Sequence, residues 1–377
     1  MKIPLSGPDI TEAEIAAVAA VMRSGRLSLG PKLVEFENAI SGYVGSPHAV
    51  AVSSGTAGLH LVVRALGIGI SDEVIVPSFT FIAAANAIRY ECATPVFVDI
   101  DPITLNLDPA AVEAAITPRT RAILAVHTFG IPADLEKLLA ITRRHNLFLI
   151  EDACEALGAE WSGQKVGTFG DAGVFGFYPN KQITTAEGGM VVTHDEKLAA
   201  RIRSLRNQGR SDNGDWFEHA EIGYNYRLSE LHAAIGIEQL KRIEPILKRR
   251  AEIARGYAQR LAPDKDIILP TSELAGGEIS WFVYVIRLAE RFSPVQRDEI
   301  IRAMTARGIA CGRYFAPVHL QAAYDGARPS LAVTERVADR TIALPFFNAL
   351  KETELDEVGT ALHECIALQG SAAAAPA

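Results

Sequence analysis

Residues 49–66 read AVAVSSGTAGLHLVVRAL, and this stretch decides the fold. AVAV (49–52) is apolar on both faces, the pattern of a strand with no side to water. SSGTAG (53–58) is a short polar turn, and GLHLVVRAL then takes up helical spacing. The rhythm repeats outward along the chain. VIVP (74–77) precedes TFIAAANAI, PVFVDI (95–100) precedes PAAVEAAI, AILAV (122–126) precedes ADLEKLLAITRRH, and LFLI (147–150) follows. Strand-then-helix repetition of this kind predicts an α/β fold: a large, mostly parallel mixed sheet with helices on both faces.

On the amino-terminal side, Thr11 and Glu14 form a capping-box pattern ahead of AAVAAVM, so a helix is expected from about residue 12. PKLVEFENAISGY (31–43) reads as a second amphipathic helix, with Pro31 suited to its first turn. On the other side, GVFGFY (173–178) and GMVVTH (189–194) continue the sheet across a short loop. Residues 228–260 read as one long helix bent at Pro245. After a Pro/Gly-containing stretch (263–277) come WFVYVIRL (281–288) as a strand, RDEIIRAMTARG as a helix and IACGRYF (309–315) as another strand. The expected division is a large domain over residues 1–250, a small α+β domain over 251–369, and a frayed low-complexity tail over 370–377.

The bulk numbers narrow the function. The chain has 377 residues, is 49% hydrophobic and 22% charged, and carries a net charge of −8. That balance argues against nucleic-acid binding, which leaves a basic patch or stripe. No apolar run reaches the ~18 residues of a membrane helix, and MKIPLSGPDI lacks the layout of a secretory signal. The expected setting is therefore the cytoplasm, with no membrane partner. Cys92, Cys154, Cys311 and Cys365 are far apart with no CxxC, so reduced thiols and no metal are expected.

The chemistry gathers at the predicted strand ends, where open parallel sheets bind ligands. Lys181 lies in VFGFYPNKQITTAEGGMVV (174–192), after an aromatic run that points to a buried neighbourhood. Asp152 follows the LFLI strand. A lysine amine and a strand-end carboxylate are what a pyridoxal phosphate (PLP) enzyme needs, the carboxylate keeping the pyridine nitrogen protonated so that the ring draws electrons. Ser54 or Thr56 can cap the helix after Gly55, and the free N–H groups of that first turn suit a phosphate. Phe81 can lie on a cofactor ring or simply pack in the core. Asn225 and Arg227, just before the long helix, can serve an anion or act as a cap and a surface charge.

With those residues in hand, the chain resembles the DegT/DnrJ/EryC1/StrS sugar aminotransferases, fold-type I PLP enzymes. The resemblance runs from about residue 3 to about 365. It rests on ordered matches including AVSSGTAGLHL, VIVPSFTFIAAANAI, IEDACEALGA, FYPNKQITTAEGG, GYNYRLSELHAAIG and PVHLQAAY. It implies that Lys181 is the Schiff-base lysine, Asp152 the pyridine-nitrogen aspartate and Phe81 the stacking aromatic. It places Thr56 and Ala57 in the phosphate loop, beside Gly55, which lets the backbone turn into the helix. Asn225 matches an asparagine that reaches the phosphate from a partner subunit, which implies a homodimer with shared active sites. Arg227, Tyr314 and His319 match positions near the substrate. Selectivity is expected from loops 24–30, 207–222 and 313–324.

Two positions depart from the commoner pattern. Many relatives carry a phosphate-binding serine where this chain has Gly176. Glu155 stands where glutamine or histidine usually touches the cofactor's 3′-oxygen, and a carboxylate there is unfavourable unless a proton is shared. The lysine at 181, in place of the histidine of dehydrating relatives, favours transamination. The resemblance thus implies amination of a nucleotide-linked keto-sugar, 3-keto or 4-keto, with L-glutamate as donor. Alternatives are a keto-cyclitol aminotransferase and a non-catalytic PLP-binding regulator.

Overall fold

The computed structural model describes residues 2–210, 217–324 and 329–372. The chain opens with α1 (Glu12–Ser24) and α2 (Pro31–Val44), then enters β1 (His48–Val52) and α3 (Gly55–Ala65). Strand–helix units follow: β2 (Glu73–Pro77) with α4 (Ala83–Tyr90), β3 (Thr94–Val98) with α5 (Pro109–Ala114), and β4 (Thr120–Val126) with α6 (Leu135–His145). Next come β5 (Phe148–Asp152), the short β6 (Glu160–Trp161) and β7 (Gln164–Lys165), then β8 (Ala172–Gly176), β9 (Gly189–Thr193) and α7 (Glu196–Arg206).

Seven of these strands form one sheet in the order β1-β9-β8-β5-β4-β2-β3. Pairing from β3 through β2, β4 and β5 to β8 is parallel, while β9 runs antiparallel to both of its neighbours, β1 and β8. Alternate residues feed two cores. Ile123 and Phe175 pack with Phe36 and Ile40 of α2 on one face. Leu124 and Val174 pack with Leu61 of α3 and Ile202 of α7 on the other. The expected α/β sheet with helices on both faces is what the chain forms. The capping box is also present, Thr11 accepting from the first turn of α1 while Glu14 reaches back to the Thr11 N–H at 2.7 Å.

Two expectations fail locally. Residues 228–260 make two helices, α8 (Glu230–Lys241) and α9 (Ile243–Leu261), parted at Arg242 (φ −109°, ψ 12°). Pro245 falls in the first turn of α9, where its missing N–H leaves no intrahelical bond unmade. The chain breaks one turn before the proline and does not bend at it. Beyond β10 (Ile267–Ile268) and β11 (Gly277–Glu278) lie β12 (Tyr284–Leu288), α10 (Pro294–Ala306), α11 (Ala332–Ala338), β13 (Thr341–Leu344) and α12 (Glu352–Ala372). β10, β12 and β13 form a second sheet, packed on α9, α10 and α12 through Tyr257, Tyr284 and Leu362. IACGRYF is not a strand of it. Only isolated bridges form, Ile309 with Ile3 and Gly312 with Ala343, because the segment turns off toward the main sheet's edge. The expected tail at 370–377 is partly overtaken by α12, and residues 373–377 lie outside the described residues, as do 211–216 of loop 207–222.

Candidate active site

The register brings the site together. Val52 pairs with Gly189, Gly189 with Gly176, Asp152 with Val174, and Val126 with Asp152. The carboxyl ends of β1, β4, β5 and β8 therefore share one sheet edge, and a cavity of about 550 Å³ opens above it. That size suits a bound small molecule. Gly55, Thr56, Phe81, Asp152, Glu155, Gly176, Lys181 and Tyr314 all line it.

Lys181 sits on the loop joining β8 to β9. The loop is closed at its base by Phe177 N–H to Gly188 O (2.9 Å) and Thr185 N–H to Phe177 O (3.0 Å), and tightened by Lys181 N–H to Tyr178 O (2.9 Å). Its Nζ lies 3.5 Å from Glu155 Oε1 and 4.0 Å from the centroid of the Phe282 ring. The other carboxylate oxygen of Glu155 accepts the Phe129 N–H at 2.9 Å. Burial pushes Glu155 up from the ordinary carboxylate range, with the Lys181 charge opposing and the Asp152 charge reinforcing.

Asp152 is 8% exposed and accepts the Cys154 N–H on Oδ1 at 3.1 Å. Among the described residues no cation pairs with it, and burial raises its pKa above the usual value. Its neighbour Glu151 faces the opposite way and anchors the strand end. It is fully buried, accepts N–H groups of Gly167, Phe169 and Gly170 at 2.7 Å each, and meets His127 Nε2 at 3.0 Å. Because His127 Nδ1 accepts the Ala133 N–H (3.0 Å), its Nε2 carries the proton and donates to Glu151.

At α3 the cap is Ser54, whose hydroxyl accepts the Ala57 N–H at 3.0 Å. Ala57 is thus buried with its N–H already engaged, and is not on the cavity wall. The remaining first-turn N–H groups, at Gly55 and Thr56, have no acceptor within the helix. Cys154 lies between this turn and β8. A Cβ at Gly55 would stand 2.7 Å from its Sγ, and one at Gly176 would stand 3.2 Å from its Cβ and 3.3 Å from its Sγ. Both glycines therefore leave the space that Cys154 fills.

Three further expected residues lie outside the cavity wall of their own chain. His319 is 1% exposed, with Nδ1 at 2.6 Å from Ser78 Oγ and Nε2 at 3.4 Å from Glu335 Oε1. It clamps its loop to the end of β2 and presents no edge to the cavity. Asn225 is exposed and bridges Asn207, and Arg227 donates to Asn207 Oδ1 at 3.0 Å. Conversely Phe282 and Asn180 line the cavity and escaped the sequence reading, while Arg313, which also lines it, was expected only as part of loop 313–324. Phe282 was hidden in an apolar run that reads as strand throughout, whereas β12 starts only at Tyr284.

The donor set fits PLP. The free first-turn N–H groups of Gly55 and Thr56, the buried Asp152 carboxylate, the Lys181 amine and the exposed Phe81 ring line one cavity. Lys181 and Asp152 would hold the two reactive ends of such a group, Gly55 and Thr56 its phosphate.

Comparison with known proteins agrees. The sequence model described as the DegT/DnrJ/EryC1/StrS aminotransferase family matches residues 8–363. GDP-perosamine synthase of Caulobacter vibrioides is 44% identical over 90% of this chain and 91% of its own. The solved structure of the aminotransferase TlmJ from Streptoalloteichus hindustanus superposes with a TM-score of 0.93 at 35% identity, covering 98% of this chain and all of that one (100%). A Streptococcus pneumoniae sugar aminotransferase in its PLP form gives 0.93 at 30% identity, over 98% and 100%. On the family match over most of its length and on these relatives, the chain belongs to the DegT/DnrJ/EryC1/StrS family of PLP-dependent sugar aminotransferases.

Proposed function

We propose that the enzyme transfers an amino group from L-glutamate to a nucleotide-linked keto-sugar. The observation that carries the reading is the meeting of Lys181, Asp152 and Glu155 in one cavity at the sheet edge. The name of the Caulobacter relative, which contains a GDP-linked sugar, supports a nucleotide-linked substrate.

PLP supplies an electron-drawing ring that makes a proton on the donor's α-carbon removable. The chain's own residues do the rest. The Asp152 carboxylate would accept a hydrogen bond from a protonated ring nitrogen and so hold that charge in place. Lys181 Nζ takes the α-proton and delivers it to the carbon that receives it, a general-base and then general-acid role. Gly55 and Thr56 would hold the phosphate by main-chain donors at the positive end of α3. Glu155 shares a proton with the groups around it, which its upward shift on burial favours.

The same reading makes the enzyme a homodimer. Asn225 is exposed and does not line its own chain's cavity, as a residue reaching into a partner's would be, and Ile15, Met22 and Val34 (54%, 55% and 54% exposed) offer apolar surface on α1 and α2. Purified protein with PLP, glutamate and a panel of nucleotide-linked 3-keto and 4-keto sugars should release 2-oxoglutarate and give an aminated sugar by mass spectrometry. Full turnover by Lys181→Ala would sink the mechanism. Mixing inactive Lys181→Ala with inactive Asn225→Ala should restore activity, since one site of the heterodimer is then intact; no recovery removes the shared-site claim.

A further inference from the structure

Arg250 is the most deeply buried cation near the cavity that the chemistry above leaves unused. It lies in the middle of α9, 3% exposed. Among the described residues no carboxylate forms an ion pair with it, and burial lowers its pKa to about 10. Its partners are main-chain oxygens from two separate segments. Nη2 donates to Lys181 O at 3.0 Å. Nη1 donates to Phe282 O at 3.1 Å and reaches Trp281 O at 3.5 Å. The Phe346 ring centroid stands 5.5 Å from its Cζ, on an apolar side of the guanidinium.

Both segments lead to the same place. The Lys181 amine stands 4.0 Å from the centroid of the Phe282 ring, so the two residues whose carbonyls Arg250 holds are also the two whose side chains meet in the cavity. A planar fork with fixed donors is suited to bridging two carbonyls at a set separation; a lysine is not. One residue along, Gln182 makes a parallel tie, its Nε2 donating to Glu155 O (2.6 Å) and Ser280 O (3.0 Å).

We propose that Arg250 is a positioning residue for the reaction: its guanidinium clamps the main chain of Lys181 to that of Phe282 and so stations the lysine amine over the phenyl ring, at the point from which it reacts. The inference rests on Lys181 being the reactive amine. A clamp of this kind matters because a misplacement of about 1 Å costs on the order of a hundredfold in rate. A cation is suited to the task because charged donors hold carbonyl oxygens more strongly than neutral ones.

The alternative is that Arg250 merely braces α9 against the rest of the protein. The two are separated by comparing two probes on the full-length cofactor-free protein. The aldehyde of pyridoxal phosphate condenses with the Lys181 amine with loss of water, and the resulting C=N bond can be reduced with borohydride and located by peptide mass. Pyridoxamine phosphate has no carbonyl and reports only how well the site holds the cofactor's body. Arg250→Lys keeps the charge but loses the fork, and trapping at Lys181 should slow by about tenfold or more while pyridoxamine phosphate affinity is retained. Phe282→Leu keeps every Arg250 bond and should slow trapping in the same selective way, an arm that stands even where the arginine variant does not fold. Wild-type trapping rates in either variant overturn the proposal. So does a loss of pyridoxamine phosphate affinity in proportion to the loss of trapping, which marks a plain brace. Failure of the wild-type protein to trap at Lys181 refutes instead the reading on which the inference rests.

Discussion

Replacing Gly176 by serine tests the site at a position where the family resemblance implies a phosphate-binding serine. A Cβ at 176 would stand 3.2 Å from Cys154 Cβ and 3.3 Å from Cys154 Sγ, inside the roughly 3.5–4.0 Å of a comfortable carbon contact. Cys154 cannot simply retreat, because its sulfur already lies against Gly55, where an added Cβ would be only 2.7 Å away. Overpacking of this kind costs about 1–3 kcal/mol. Cys154→Ala removes the sulfur and leaves room for residue 154 to settle toward α3. The double variant Cys154→Ala/Gly176→Ser should then be more stable than the sum of the singles by about 1 kcal/mol, within the range for residues in contact. Its new hydroxyl would also supply one more phosphate donor, worth about 0.5–1.5 kcal/mol. Chemical unfolding of the four proteins gives the coupling, and titration with PLP gives the affinities. If Gly176→Ser alone costs nothing, or if the two substitutions add within about 0.3–0.5 kcal/mol, the steric account of the missing serine is wrong.

Asp152→Asn should lower kcat by roughly a hundredfold or more, because a neutral amide cannot hold the ring charge. Burial raises the Asp152 pKa, so stability contributed by its protonated form is present below about 3.9 and is lost as pH rises through the folded value; a ring N–H donor returns it. Stabilisation by PLP should therefore grow with pH over that window in the wild type and stay flat in Asp152→Asn, as thermal melts at a series of pH values will show. Glu14 behaves oppositely: its bonds to Thr11, Arg242 and Gln239 hold it down at about 2 against the burial that pushes it up, so its contribution is present above about 4.3 and is lost as pH falls toward 2. Glu14→Gln should flatten that part of the acid-unfolding curve. Ser78→Ala leaves the His319 N–H and Nδ1 without their partner and should cost about 1–3 kcal/mol with glutamate KM unchanged; a raised KM at full stability would return His319 to the substrate site.

What the sequence showed was whatever lies close along the chain. AVAV, VIVP and LFLI announce strands because strands covered on both faces have little choice of residue. Thr11 with Glu14 announces a helix start because the cap is a local exchange of bonds. The cavity residues were legible where a strand end carries its own signal, as at Asp152 and Gly55. Long-range pairings carry no such mark. Ser78 and His319 are distant in sequence, and nothing in PVHLQAAY distinguishes a clamp from a substrate ligand. Phe282 and Arg250 are an ordinary core aromatic and an ordinary helix arginine until α9 and the 280–282 segment are placed beside the Lys181 loop. Pro245 misled because a proline inside a helical pattern and a proline opening a second helix look alike.

The placement of Lys181 follows from the one antiparallel strand in the main sheet. Had β9 run parallel to β8, the chain would have needed a crossover of a dozen residues or more to the opposite edge. Residue 181 would then have begun a helix leaving the cavity. Instead β9 starts at the edge where β8 ends, Gly176 opposite Gly189, and the intervening loop leaves and returns at the carboxyl edge. Loop closure at Phe177, Thr185 and Gly188 keeps it there. Two glycines in register at the neck suit this arrangement, because a Cβ at Gly189 would stand 2.6 Å from the Ser54 carbonyl carbon and oxygen. The phosphate turn at the start of α3, the neck glycines and the lysine loop are thus packed against one another. A side chain that pushed Gly189 off Ser54 would shift the α3 turn and the Lys181 loop together.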